Sequence, residues 1–123
     1  MPITEASHQM PYLVYQLNSK YGRKWNSMVA INDAYFDVVY YPLQKINRKD
    51  VVNISIGDGS PAAIARIRHN NFQQTATIAE PVQLQAWQLV DDIGRSFNKK
   101  KASNFQSLPI LIDYDVLKKI EHK

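Results

Sequence analysis

Apolar side chains at Met10, Leu13, Val14, Leu17 and Tyr21 recur at spacings of 3, 1, 3 and 4, which lays one stripe along a helix. Pro11 suits the first turn of that helix and Gly22 its left-handed stop. The β-branched and aromatic content of residues 12–17 also permits a strand. From Ser27 the period shortens to two. β-rich runs at Ser27–Ile31, Tyr35–Tyr41, Val51–Ile56, Ala62–Arg68 and Gln73–Ala79, separated by turn-forming clusters, predict an antiparallel meander. Its connectors are Asn32-Asp33-Ala34, a loop over Leu43–Asp50, the stretch Gly57 to Pro61, and a tight turn at Asn70-Asn71. In the last hairpin Ile67 opposes Gln74 and Ala65 opposes Ala76 on one face, while Arg66 meets Thr75 and Arg68 meets Gln73 on the other. A rival reading makes Ser60-Pro61 the cap and first turn of a helix running through His69.

Past Pro81 the period returns to 3.6. Ala86, Val90, Ile93 and Phe97, widened by Trp87 and Leu89, predict an amphipathic helix over 82–97. A basic loop follows at Asn98–Ser103, then a short apolar run at Leu108–Ile112 that can add a strand. Asp113 then caps a helix carrying Val116, Leu117 and Ile120. The expected fold is α+β: a small antiparallel meander or partly open barrel of about five to six strands, with an N-terminal helix and two C-terminal helices. Its uncovered strand edges make a homodimer an expectation as well.

Composition bounds the picture. The chain has 123 residues, 45% of them apolar and 21% charged, so it is hydrophobic enough to fold and of a size to form a single domain, 1–123. No stretch approaches a membrane span and the N-terminus lacks the pattern of a signal peptide, which together imply a cytoplasmic protein without membrane partners. Cysteine is absent, which removes disulfides, thiol nucleophiles and zinc knuckles. The three histidines, His8, His69 and His122, share no chelating spacing, and the four glycines complete neither a Walker loop nor a GxGxxG fingerprint. Neither a metal nor a cofactor is expected.

Charge is the more informative feature. Fifteen Lys and Arg against eleven acids leave +4, and the cations cluster beside aromatics. Lys20, Arg23 and Lys24 flank Tyr21 and Trp25; Lys45, Arg48 and Lys49 follow Tyr40 and Tyr41. Arg66, Arg68 and His69 precede Phe72, and Lys99, Lys100 and Lys101 lie between Phe97 and Phe105. Cations that screen phosphates next to rings that stack on unpaired bases are what single-stranded nucleic acid requires. The sequence therefore points to a small nucleic-acid-binding module for RNA or single-stranded DNA. Its site would comprise Lys20, Arg23, Lys24, Trp25, Lys45, Arg48, Arg66, Arg68, His69, Lys99, Lys100 and Lys101. The competing partner is a protein target, with the chain as an inhibitor or adaptor that uses exposed aromatics.

A catalytic alternative is a metal-independent endoribonuclease, with His69 as base, Arg66 or Arg68 facing the phosphorane and Lys45 as acid. The pairs Asp91-Asp92 and Asp113/Asp115 read as solvent-facing and capping acids. The segment Phe36–Lys49 (FDVVYYPLQKINRK) resembles the strand-to-loop segment of SH3-like-barrel endoribonuclease toxins, in which an aliphatic-proline stretch leads to a catalytic serine or threonine and a lysine. Gln44 stands here where the hydroxyl residue is expected.

Overall fold

The structure, a computed structural model, describes residues 1–122. A short 3-10 turn leads into α1 (Ala6–Tyr21), followed by β1 (Ser27–Ala30), α2 (Tyr35–Lys45), β2 (Val52–Gly57), α3 (Pro61–His69), β3 (Gln74–Ala79), α4 (Val82–Phe97), β4 (Ile110–Asp113) and α5 (Tyr114–Glu121). The four strands form one sheet in the order β1-β2-β3-β4. β1 with β2 and β2 with β3 are parallel, and only β4 joins antiparallel. The architecture is α/β with an open, mostly parallel sheet, which overturns the expected α+β antiparallel meander or barrel.

The correction has a local cause. Residues expected as strands at Tyr35–Tyr41 and Ala62–Arg68 are helices α2 and α3. In α2 the buried side chains Phe36, Val39, Pro42 and Leu43 lie three or four apart on one face, a helical period that the run of β-branched and aromatic residues masks. In α3 the alternative reading of Ser60-Pro61 prevails. Ser60 Oγ accepts the Ala63 N–H at 3.2 Å, Pro61 occupies the first turn, and Asn70 closes the helix at φ 51°. With helices between them, consecutive strands are joined by crossovers, and crossovers make the strands parallel. The barrel resemblance of Phe36–Lys49 falls with the same change, since α2 occupies most of that segment.

Right-handed crossovers that step one way across a sheet put their helices on one face. α1 packs on α2 there, with Met10, Val14, Phe36, Val39, Leu43 and Val51 forming the core cluster. α3 lies against β3 and contacts α5. α1 starts at Ala6, so Pro11 sits inside the helix rather than in its first turn, and Gly22 ends it at φ 53°. The opposite sheet face is open: Val29, Ile31, Val52, Ile56 and Leu111 are all exposed. α4 lies where periodicity placed it, yet it buries none of its residues. Among the described residues no helix is long and apolar enough to cross a membrane.

Candidate functional site

In an open parallel sheet the carboxyl ends of the strands are where backbone and side chains converge without a covering layer, and ligands bind there. Three loops leave that edge. β1 runs into Ile31-Asn32-Asp33, β2 into Asp58-Gly59-Ser60, and β3 into Glu80-Pro81. Between the last two opens a crevice of about 680 Å³ whose walls include Asp58, Gly59, Ser60, Glu80 and Trp87. The Glu80 N–H donates to the Gly57 carbonyl at 2.8 Å, which ties the two loops together at its floor.

Asp33 organises this edge from beneath. Its carboxylate is almost fully buried and accepts hydrogen bonds from Ser55 Oγ, from Gln74 Nε2 at 2.8 Å and from the Gly59 N–H at 3.2 Å. Burial is the largest single influence on its ionisation and opposes it. The hydrogen bonds from Ser55, Gln74 and Gly59 together outweigh burial and hold the carboxyl below its ordinary value of 3.8. Arg66 completes the network: Nε donates to Gln74 Oε1 at 2.7 Å, Nη2 to the Asp33 carbonyl at 3.0 Å, and Nη1 pairs with Asp37. Gly57 has no room for a side chain, since a Cβ there would lie 2.8 Å from Asp33 Cγ. At Gly59, φ is +64° and a Cβ would meet Ala79 Cβ at 2.8 Å. The loop carrying Asp58 is thus held by a buried charge on one side and by backbone geometry on the other.

The residues singled out from the sequence lie elsewhere. Arg48, Trp25, Arg23 and Asp50 do come together, at the amino-terminal ends of β1 and β2 and therefore across the sheet from the crevice. Arg48 is buried. Its guanidinium donates to Asn18 Oδ1 at 2.7 Å, to the Gly22 carbonyl at 2.8 Å, to the Trp25 carbonyl and to both oxygens of Asp50, so it staples α1 to the start of the sheet. Arg66 and Arg68 do not share a sheet platform: on α3 one points inward and the other pairs with Glu121 at 2.6 Å. Lys20 lies over the Tyr21 ring at 5.1 Å, and Lys24 is exposed just beyond it. Lys45 ends α2, His69 ends α3, and Lys99, Lys100 and Lys101 form an exposed loop beyond α4. The set is thus spread over the end of α1 and the turn after it, the end of α2, α3 and the loop beyond α4.

Sequence reasoning passed over Asn32, Asp33, Asp58 and Glu80. A signal was present, since a β run, a short polar loop and a helix follow one another at Asn32-Asp33 and again at Gly57–Pro61. Read as successive strand-to-helix units, those loops fall at one sheet edge.

No protein-family model and no curated protein matches the chain by sequence. Solved structures do match by shape. One is a Caulobacter myo-inositol binding protein bound to myo-inositol, with a TM-score of 0.71 at 19% identity over 92% of this chain and 38% of that one. A second is GanP, a glucose-galactose binding protein from Geobacillus stearothermophilus, at 0.70 and 14% over 89% and 38%. A third is an ABC transporter solute binding protein from Agrobacterium vitis with bound allitol, at 0.74 and 13% over 99% and 42%. The chain shares their fold. It spans about two-fifths of their length. These neighbours carry inositol, sugar and allitol in their descriptions, and they overturn the expectation of a nucleic-acid partner, RNA or single-stranded DNA, together with the protein-target and endoribonuclease alternatives drawn from the same basic clusters. The physical reason is that two of the supposed phosphate-binding arginines, Arg48 and Arg66, are consumed inside the fold.

Proposed function

We propose that this chain binds a small, uncharged polyhydroxylated ligand, a monosaccharide or cyclic polyol, in the crevice at the carboxyl ends of β2 and β3. The observation that carries the reading is the chemistry of the walls. Asp58, Ser60 and Glu80 offer hydrogen-bonding groups, Trp87 offers an exposed ring face, and among the described residues no lysine or arginine lines the space. Carboxylates accept strong hydrogen bonds from hydroxyls, and an indole face packs on the C–H face of a sugar ring. Two carboxylates without a cation repel a phosphate or a carboxylate, which is why the ligand is uncharged. A volume near 680 Å³ falls in the range of small-molecule sites, and neighbours of the same fold are described with myo-inositol, glucose-galactose and allitol. Residues 1–123 act in this reading as one domain.

Isothermal titration calorimetry against myo-inositol, glucose, galactose and allitol tests it, with glucose 6-phosphate as the anionic control. At least one neutral polyol is expected to bind and to change Trp87 fluorescence, with about tenfold or greater loss of affinity in Asp58→Ala. Absence of binding by all four at millimolar concentration, or unchanged affinity in Asp58→Ala, refutes the reading.

A further inference from the structure

We infer that Gln85 is a positioning residue of the crevice: it holds the carboxylate of Glu80 from behind and thereby selects polyols that offer one separate hydroxyl to Glu80 and a pair of adjacent hydroxyls to Asp58. The inference rests on the reading of the crevice as a polyol site. Gln85 Nε2 donates to Glu80 Oε2 at 2.9 Å. Glu80 is part of the crevice wall and Gln85 is not, so the amide acts on a ligand only through the carboxylate that it holds.

The backbone fixes both ends of this bond. The Glu80 N–H donates to the Gly57 carbonyl at 2.8 Å, and the Glu80 carbonyl accepts the Val82 N–H at 2.9 Å, so the main chain of Glu80 is held between the end of β2 and the start of α4. The Gln85 N–H donates to the Pro81 carbonyl at 3.0 Å, which places Gln85 in the first closed turn of that helix. A glutamate with nothing to hold it rotates about its side-chain bonds, and a ligand that uses it must order it on binding. Gln85 removes that freedom before the ligand arrives. Its amide is neutral and leaves the charge of Glu80 intact, whereas a lysine or arginine at the same position would neutralise it and end the repulsion of anions.

The hydrogen bonds also set what the ligand must offer. With Oε2 engaged by Gln85, Oε1 is the Glu80 oxygen that has no protein partner among the described residues. Asp58 is exposed on its loop, and neither of its oxygens is bonded within the protein among the described residues. A carboxylate with two open oxygens accepts from two neighbouring hydroxyls, and one with a single open oxygen accepts from one. Ser60 Oγ accepts the Ala63 N–H at 3.2 Å and keeps its own O–H to donate to a ring or hydroxyl oxygen. The matching ligand therefore carries two hydroxyls on adjacent carbons for Asp58 and a further one for Glu80, and it packs a C–H face on Trp87.

Calorimetric titration with myo-inositol, glucose, galactose and allitol across a double-mutant cycle of Gln85→Leu and Glu80→Ala tests it, with circular dichroism showing each variant folded. Gln85→Leu is expected to weaken binding of the polyol by about three- to tenfold, and to make no further difference once Glu80→Ala has removed the carboxylate. Gln85→Glu keeps the side-chain length but sets a like charge beside Glu80, and it is expected to lose at least as much. Monodeoxy analogues of the bound polyol give a second readout. The analogue that lacks the hydroxyl facing Glu80 is expected to bind the wild-type protein about tenfold more weakly than its parent, and to differ from it by less than about threefold in Gln85→Leu. Unchanged affinity in Gln85→Leu, or an equal loss with and without Glu80, overturns the role of Gln85 and leaves the crevice reading in place. Failure of all four polyols to bind the wild-type protein overturns the crevice reading and the inference with it.

Discussion

Replacing Asp33 by alanine removes the acceptor on which three donors converge: the Ser55 hydroxyl, the Gln74 amide and the Gly59 N–H. Each hydrogen bond to a charged acceptor is worth about 1.5–3 kcal/mol, and the three are not additive because the orphaned donors partly rearrange. Removing the carboxylate also relieves its burial cost. The expected net loss is about 3–5 kcal/mol, a large part of a typical domain's stability. Urea unfolding followed by circular dichroism should show it as a midpoint lower by about 2 M or more. Asp33→Asn keeps the shape and one oxygen but turns an NH₂ towards donors, and about half the loss is expected.

The pH dependence supplies the sharper test. Because the folded-state value of Asp33 lies below its ordinary 3.8, folding favours the ionised form. That contribution is complete above the unfolded value and drains away as pH falls through the lower, folded one. The stability gap between the wild-type protein and Asp33→Ala should therefore be constant from neutrality to about pH 5 and shrink below the ordinary carboxylate range. A gap under about 1 kcal/mol at pH 7, or one indifferent to acid, would refute the reasoning.

Two other variants probe the frame around the crevice and its far end. Gly57→Ala should destabilise the fold by about 2 kcal/mol or more and weaken polyol binding, because its Cβ would lie 2.8 Å from Asp33 Cγ; thermal unfolding with calorimetry of ligand binding reads both. Arg48→Ala should cost about 3 kcal/mol or more, since it strands the Gly22 and Trp25 carbonyls, and Arg48→Lys should restore little because an ammonium lacks the guanidinium's fork; chemical denaturation measures each.

Residues that act on near neighbours in the chain were legible without the fold. The stripe of α1, the stop at Gly22, the periodicity of α4 and the Asp113 cap, whose carboxylate accepts the Val116 N–H at 2.9 Å, all depend on contacts within a turn or two. The Ser60-Pro61 helix start was legible too, as one of two readings. Strand direction was not. Alternation along a strand is the same whether its neighbour runs with it or against it, so the direction had to come from whether the intervening segments were helices. α2 concealed that, because its valines and tyrosines suit a strand as composition while their spacing suits a helix.

The crevice belongs to the tertiary structure alone. Asp33 meets Ser55 across 22 positions and Gln74 across 41, and Asp58 and Glu80 become neighbours only when β2 and β3 pair side by side. Charge behaved in the same way: the sequence shows that Arg48 and Arg66 are cations, but only packing shows that both are spent holding carbonyls and carboxylates inside the protein. Local order follows from torsional preference and near-neighbour spacing, whereas a binding edge and the burial of a charge follow from which distant segments share a layer.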